Sequence, residues 1–459
     1  MTDNRDGSNR RLKIFRFVDW QIRIVPRVRP HLPRLGWALG YIFVGVLATL
    51  LGKYAVDNYY RSIVTALGLN RETPKIAVVL PLTGSDAKAA GEMRSAAELA
   101  KRDYCRGPNA AQLPCTIEFV AKDDTGVPEK AARVAKELMS DRGIIAVIGH
   151  FSSSTTEMAL KEYCQNPEPV AIVMPVPTAT GIVDQAHSLG CKAVLRLVPT
   201  NEQQGREAAK LLAVLPVVES QIGGNGEHMI GILRDQSNPV YSNDFGREFL
   251  NALRNQLASR GTRYSVLFNA PIGGEVNGLL QSTGMGLLRA TDAVLIIGMT
   301  DLVLQSIRQA KLVGWMPGNI VLTDGALSEN LITEGKNVLT DHVYLVFPLP
   351  AQREPSLKDL HLELHLKSED ISFAAYGYDS AMLLLIAVEA LERQHKSLTR
   401  DQLASIISGW TENRTDIRGH FTLSDGNTFE KSGNTAHPKL GLYRYRPSNL
   451  SFDPVPGNY

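Results

Sequence analysis

Residues 145–157 read IAVIGHFSSSTTE: a run of apolar, β-prone residues, then Gly149-His150-Phe151, then five consecutive hydroxyl side chains and a glutamate. The apolar run has the length of a buried strand. Ser154-Thr155-Thr156-Glu157 fits the Ser-x-x-Glu box that opens a helix, with Ser154 as the predicted cap. The stretch therefore predicts a strand that ends where a helix begins. Such a point offers unpaired N–H groups and the positive end of a helix dipole, and so suits an anion. Capping accounts for Ser154 and Glu157 but leaves Ser153, whose hydroxyl and backbone N–H are free to face a cleft.

Working outward, the same alternation recurs. KIAVVLPL (75–82) reads as a buried strand and 86–104 as an Ala-rich helix. CTIEFVAKDD (115–124) reads as a strand, 127–141 as a helix with Pro128 in its first turn, and VAIVMP (170–175) as a strand. A second series follows: helix 201–214, strand MIGILRD (229–235), helix 243–259, strand YSVLFNA (264–270), a helix near 276–289, strand AVLIIG (293–298), helix 301–313 and strand NIVLTD (319–324). Short apolar runs alternating with helices predict an α/β protein with two parallel, doubly wound layers in succession. The C-terminal third is less regular: a long helix over 373–394, the stretch DIRGHFTLSDGNTF (416–429), and a last strand KLGLYRYRP (439–447).

The 459 residues exceed one compact core, so two lobes are expected. The net charge is +2, but residues 1–34 hold nine of the 49 bases and three of the 47 acids, leaving 40 against 44 in the rest. That mildly acidic body excludes a nucleic-acid surface. Behind the basic tail lies LGWALGYIFVGVLATLLG, Leu35 to Gly52, with no charged residue. Eighteen such residues span about 27 Å as a helix, which predicts a transmembrane segment over 35–55 and a linker over 56–73. No A-x-A cleavage pattern follows, so the segment reads as an uncleaved signal-anchor. With the bases on its N-terminal side, the tail is expected in the cytoplasm and the body outside the membrane. The tail's LKIFRFVDWQIRIV interleaves Arg with aromatic residues, as a surface on anionic lipid does. All four cysteines lie beyond the segment. Cys105 with Cys115, and Cys164 with Cys191, are the disulfide candidates expected in an oxidising compartment.

Ligands of parallel α/β layers bind beyond the carboxyl ends of the strands. Three such ends carry chemistry here: Ser153 and Ser154; Val176 and Thr178 in IVMPVPTATG; and Asp324 in NIVLTDG. Hydroxyls at two ends and a carboxylate at the third suit a zwitterion, its carboxylate at Ser153 and Thr178 and its ammonium at Asp324.

The segments KIAVVLPLTGSDAKAAGEMRSAAELA, VAKDDTGVPEKAARVAKELM, VIGHFSSSTTEMALKEY and VMPVPTATG resemble the leucine/isoleucine/valine-binding protein family, the type I periplasmic binding proteins. The likeness runs from Lys75 to Tyr445 through IRQAKLVGW, GYDSAMLLLIAVEAL and RGHFTLSDGN. It implies two Rossmann-like lobes joined by three crossings and closing over a ligand, with 74–198 and 348–425 as the first lobe and 199–347 and 426–459 as the second. By resemblance, Ser153 and Thr178 hold a ligand carboxylate, the Val176 carbonyl meets the ammonium, and Asp324 replaces a glutamate one methylene longer. Tyr241 and Phe245 are both candidates for an aromatic wall, and Met299 stands where another aromatic often lies. Ser152 replaces one cysteine of a disulfide usual in the family, and Pro177 has no N–H to offer.

No enzyme is expected. His361, Glu363 and His365 lack H-E-x-x-H spacing, and neither a phosphate loop nor a G-x-S-x-G elbow occurs. No cofactor and no metal is expected. The reading is a membrane-anchored, extracytoplasmic solute-binding protein for an amino acid, in transport or sensing. Its expected partners are an ABC-type permease or a cytoplasmic signalling protein, and a homodimer is a further possibility. The alternative is a ligand-independent scaffold or receptor module.

Overall fold

The computed structural model describes residues 73–108, 110–215, 227–259, 263–272, 290–315, 317–348, 371–412, 429–435 and 440–455. The basic tail, the segment 35–55, the helix expected near 276–289, His361-Glu363-His365 and most of DIRGHFTLSDGNTF lie outside the described residues.

The first sheet is built from β1 (Lys75–Leu80), β2 (Glu118–Asp123), β3 (Ile144–Gly149), β4 (Ala171–Met174) and β5 (Val194–Arg196), all parallel and ordered β2-β1-β3-β4-β5. Every residue of β3, β4 and β5 is buried. That is what a parallel strand covered on both faces requires, and it explains why these strands read as unbroken apolar runs. The connections are α1 (Ala87–Arg106), α2 (Gln112–Thr116), α3 (Pro128–Ser140), α4 (Ser153–Cys164) and α5 (Ile182–Ser188). In α3, Pro128 occupies the first turn, where its missing N–H costs nothing. Ala131, Val134, Ala135, Leu138 and Met139 then bury one face at helical spacing. Cys105 pairs with Cys115 and Cys164 with Cys191. Cys115 sits in the short α2 and not at the head of a strand.

After β5 the chain crosses to α6 (Asn201–Val214), where Thr200 and Gln203 close a capping box. The second sheet holds β6 (His228–Asp235), β7 (Tyr264–Ile272), β8 (Ala293–Ile297), β9 (Asn319–Leu322) and β10 (Val343–Pro348) in the parallel order β7-β6-β8-β9-β10. Its helices are α7 (Pro239–Ser259), α8 (Thr300–Leu312) and α9 (Glu329–Gly335). β11 (Leu440–Arg446) and β12 (Ser451–Pro454) extend this sheet antiparallel beyond β10.

Two helices return to the first sheet. α10 (Ile371–Arg393) packs along α1 so closely that a Cβ on Gly377 would stand 2.4 Å from the Met93 carbonyl oxygen. It is long and apolar enough to cross a membrane, but 83% of its most apolar stretch is buried, which makes it a core helix. α11 (Arg400–Glu412) is tied down by Arg400, which donates to the carbonyls of Ile144 (2.8 Å) and Asp141 (2.7 Å). The returning segment then passes β5, where the Arg196 N–H donates to the Gly433 carbonyl (2.9 Å). Gly433 has φ +92° and no room for a Cβ, which would lie 2.0 Å from the Val194 carbonyl oxygen. Two of the chain passages between the sheets, the one after β5 and the one that leads to β11, therefore run side by side at Arg196.

Two expectations are corrected. The helix predicted over 243–259 begins at Pro239, so Tyr241 lies in its first turn and not in a loop. Ser154 is not the cap of α4: Ser152 is, its Oγ accepting from the Thr155 N–H at 3.2 Å. A serine one residue earlier satisfies the same orphan donor and releases Ser154 to reach the other lobe.

Candidate functional site

The turn between β3 and α4 is held from beneath. His150 is buried, with Nδ1 2.6 Å from Asp124 Oδ2 and Nε2 3.0 Å from the Tyr163 hydroxyl. Burial, reinforced by Asp124, holds the Tyr163 phenol well above its ordinary pKa, so it stays protonated. Above this anchor each hydroxyl of the run has its own task. Ser152 caps the helix, while Thr155 and Thr156 donate back to the Ser152 carbonyl at 2.9 and 2.7 Å. Ser154 Oγ donates to Asn238 Oδ1 (2.8 Å) and accepts the Val240 N–H (3.2 Å), reaching the loop before α7 in the second lobe. Ser153 Oγ accepts the Ala179 N–H at 3.2 Å, which leaves its own proton to give.

Ser153 lines a cavity between the two lobes. From the first lobe come Phe151, Ser152, Ser153, Val176 and Thr178, with Phe373 of α10. From the second come Asn238, Tyr241, Met299, Asp324 and Gly325. Thr178 is 2% exposed, and among the described residues its hydroxyl has no hydrogen-bond partner. This wall presents hydroxyls and the N-terminus of a twelve-residue helix, the chemistry of an anion site.

The opposite wall is acidic. Asp324 opens a short 3-10 turn after β9 and is 4% exposed. Its Oδ1 accepts from the Tyr241 hydroxyl (2.6 Å) and its Oδ2 from Gln204 Nε2 (3.2 Å). Thr323 shares the same phenol at 2.7 Å, so with one proton Tyr241 donates to the carboxylate and accepts from Thr323. Burial raises the Asp324 pKa against the lowering effect of these hydrogen bonds. Both donors are neutral, so an ionised Asp324 has hydrogen bonds but no counter-charge from them. A cation in the cavity supplies what this wall lacks.

Of the eight residues singled out from the sequence, the cavity brings together Ser153, Val176, Thr178, Tyr241, Met299 and Asp324. Ser154 lies beside it as the link to Asn238. Phe245 is fully buried in the second lobe one turn after Tyr241, ring centroids 6.0 Å apart, and supports that ring from behind. Phe151, Asn238, Gly325 and Phe373 were not anticipated. The first two stand within stretches that drew notice for other residues. Phe373 reaches the site from a distant segment, for which the sequence carries no local signal.

The two-sheet arrangement is the type I periplasmic binding fold. A leucine binding protein from Thermotoga maritima superposes with a TM-score of 0.65 at 20% identity, covering 83% of this chain and 98% of the other. The branched-chain amino acid substrate binding protein of Streptococcus pneumoniae, solved with isoleucine, gives 0.62 at 17% identity over 84% and 99%. Residues 73–216 match the family profile described as periplasmic binding protein. The Leu/Ile/Val/Thr-binding protein of Salmonella typhimurium is 32% identical over 139 residues, 30% of this chain and 35% of its own length. An amino acid binding protein of Pseudomonas aeruginosa is 26% identical over 204 residues, 44% of this chain and 47% of its own. The matched segment thus spans about a third to a half of these curated relatives, and it is the segment that carries Ser153, Val176 and Thr178.

Proposed function

We propose that this chain is a non-enzymatic, extracytoplasmic solute-binding protein that closes two lobes over an amino acid or a similar small zwitterion. The observation that carries the reading is the pair of opposed walls: hydroxyls and a helix N-terminus on one lobe, a buried carboxylate with neutral partners on the other. The ligand carboxylate is assigned to Ser153 and Thr178, and its ammonium to Asp324 and the Val176 carbonyl. Closure is supported by direct bonds between lobes: Ser154 to Asn238, and the Thr180 N–H to Asp244 Oδ2 at 2.7 Å. A ligand that touches both walls favours the closed state by its differential affinity. The likeness to a transporter substrate-binding protein favours transport, with an ABC-type permease as partner. The uncharged run Leu35 to Gly52 behind a basic tail supports a reading in which the body lies outside the membrane on a single-pass anchor. It also favours a second reading, in which closure is read by a cytoplasmic partner.

The test is a thermal melt of the full chain in detergent against a panel of amino acids, each at a hundredfold excess over its Kd. Such a ligand stabilises by about 2.7 kcal/mol, roughly 3 °C for a body of this size. Ser153→Ala should weaken the shift. If no amino acid raises the melting temperature, the reading fails.

A further inference from the structure

The ligand cavity does not end at Met299. Four of its lining residues, Phe151, Met299, Gly325 and Phe373, also line an adjoining chamber between the start of α1 and the start of α8. The shared neck is apolar. Phe151 and Phe373 pack with ring centroids 5.6 Å apart, and the Met299 thioether closes the other side, 3.1 Å from where a Cβ on Gly325 would lie. Beyond the neck the lining turns polar and acidic, with Asp86 from the first lobe facing Asp301, Ser328 and Asn330 from the second.

Among the described residues, neither Asp86 nor Asp301 has a hydrogen-bond or ion-pair partner for its carboxylate. Burial first, and then the negative charges of Asp301, Asp235 and Asp124, push the pKa of Asp86 up to about 6. Lys88 stands at the chamber's edge, with its ammonium 4.0 Å from Glu92 on the same helix face. The chamber therefore has the form of a second cation subsite, sharing its apolar neck residues with the ligand cavity.

We propose that the ligand is an amino acid with a cationic side chain. Its methylene stem runs through the Phe151–Met299–Phe373 neck and its distal cation lies between Asp86 and Asp301. This inference rests on the amino-acid reading above and deepens it. A branched aliphatic side chain would fill the neck but leave the two carboxylates facing each other across the chamber. A cation there is attracted by both, and satisfies acceptors that the fold leaves open.

The test is isothermal titration of the full chain in detergent with L-lysine and L-norleucine, which share a four-carbon side chain and differ in the terminal ammonium. L-lysine should bind at least about tenfold more tightly, an advantage of about 1.4 kcal/mol. In the variant carrying Asp86→Asn and Asp301→Asn, that ratio should collapse to near or below one. A melting curve for the variant confirms that it is folded. If norleucine binds the wild type as well as lysine does, the cationic side chain is wrong and the amino-acid reading stands. If the double variant keeps the wild-type ratio, the chamber is not where lysine's cation lies, and the inference falls. If neither compound binds, and no other amino acid does, both readings fall together.

Discussion

Asp324→Asn isolates the charge of the acidic wall while keeping its shape. The asparagine carbonyl can still accept the Tyr241 proton now received at 2.6 Å. The new amide would set a donor against Gln204 Nε2, but the Gln204 Oε1 atom is buried and has no hydrogen-bond partner. A half-turn of the Gln204 amide presents that oxygen to the asparagine and leaves Gln204 Nε2, in place of Oε1, as the one unpartnered atom of that amide. The unliganded variant should therefore fold well, and gain stability at neutral pH. Because burial raises the folded pKa of Asp324 above its unfolded value, its ionisation costs stability as pH rises through that folded value. The gain from asparagine should accordingly be present at pH 7 and fade as pH falls toward the ordinary carboxylate range. Ligand binding should move the other way. A charge-assisted bond contributes about 1.5–3 kcal/mol, and leaving a buried ammonium without its counter-charge costs about 3–5 kcal/mol. Affinity for an amino acid should fall by roughly 100-fold or more. Thermal melts without ligand and calorimetric titration with it measure the two effects on one sample. Affinity within about threefold of wild type, or a less stable unliganded variant, would refute the reasoning.

Asp86→Asn should also stabilise the unliganded protein at pH 7. A folded pKa of about 6 against an ordinary 3.8 corresponds to at most about 3 kcal/mol, reduced by solvent at this partly buried site; the benefit should vanish below about pH 4 in melts across pH. Gly377→Ala drives a methyl group into the Met93 carbonyl where α10 meets α1, and should cost about 1–3 kcal/mol in denaturant titrations. Replacing Cys164 and Cys191 together by serine opens a loop of 27 residues and should cost about 3–4 kcal/mol by chain entropy; a midpoint unchanged under the same conditions would argue against it.

Much of the fold was legible because parallel strands buried on both faces leave unbroken apolar runs, as in IIAVIG and AIVM. Helix signals were equally direct where one residue type decides, as with Pro128 at the head of α3. The sequence misled where several residues of the same kind compete for one task. Five adjacent hydroxyls offered more than one cap, and the choice of Ser152 over Ser154 rests on a contact with Asn238 that is 84 residues away. The start of α7 was hidden for a related reason. Asn238-Pro239 looks like a turn, yet proline is equally at home in a first helical turn. β10 escaped notice because its antiparallel neighbour β11 arrives only about ninety residues later. The site residues at strand ends were readable, since the topology fixes where ligands approach. Phe373 and the chamber acids were not, because nothing local in GSDAK or MTDLV says that the two segments face each other.

The most direct measurement is equilibrium dialysis of the full chain in detergent against one amino acid and its two truncated forms, the amine without the carboxylate and the acid without the amine. The amino acid should be L-lysine, or norleucine should lysine fail. Opposed walls of hydroxyls and carboxylate require both groups, so the intact amino acid should bind and each truncated form should lose about 100-fold or more. An acid without its amine that binds as tightly as the amino acid would contradict the assignment of Asp324 and, with it, the zwitterion site.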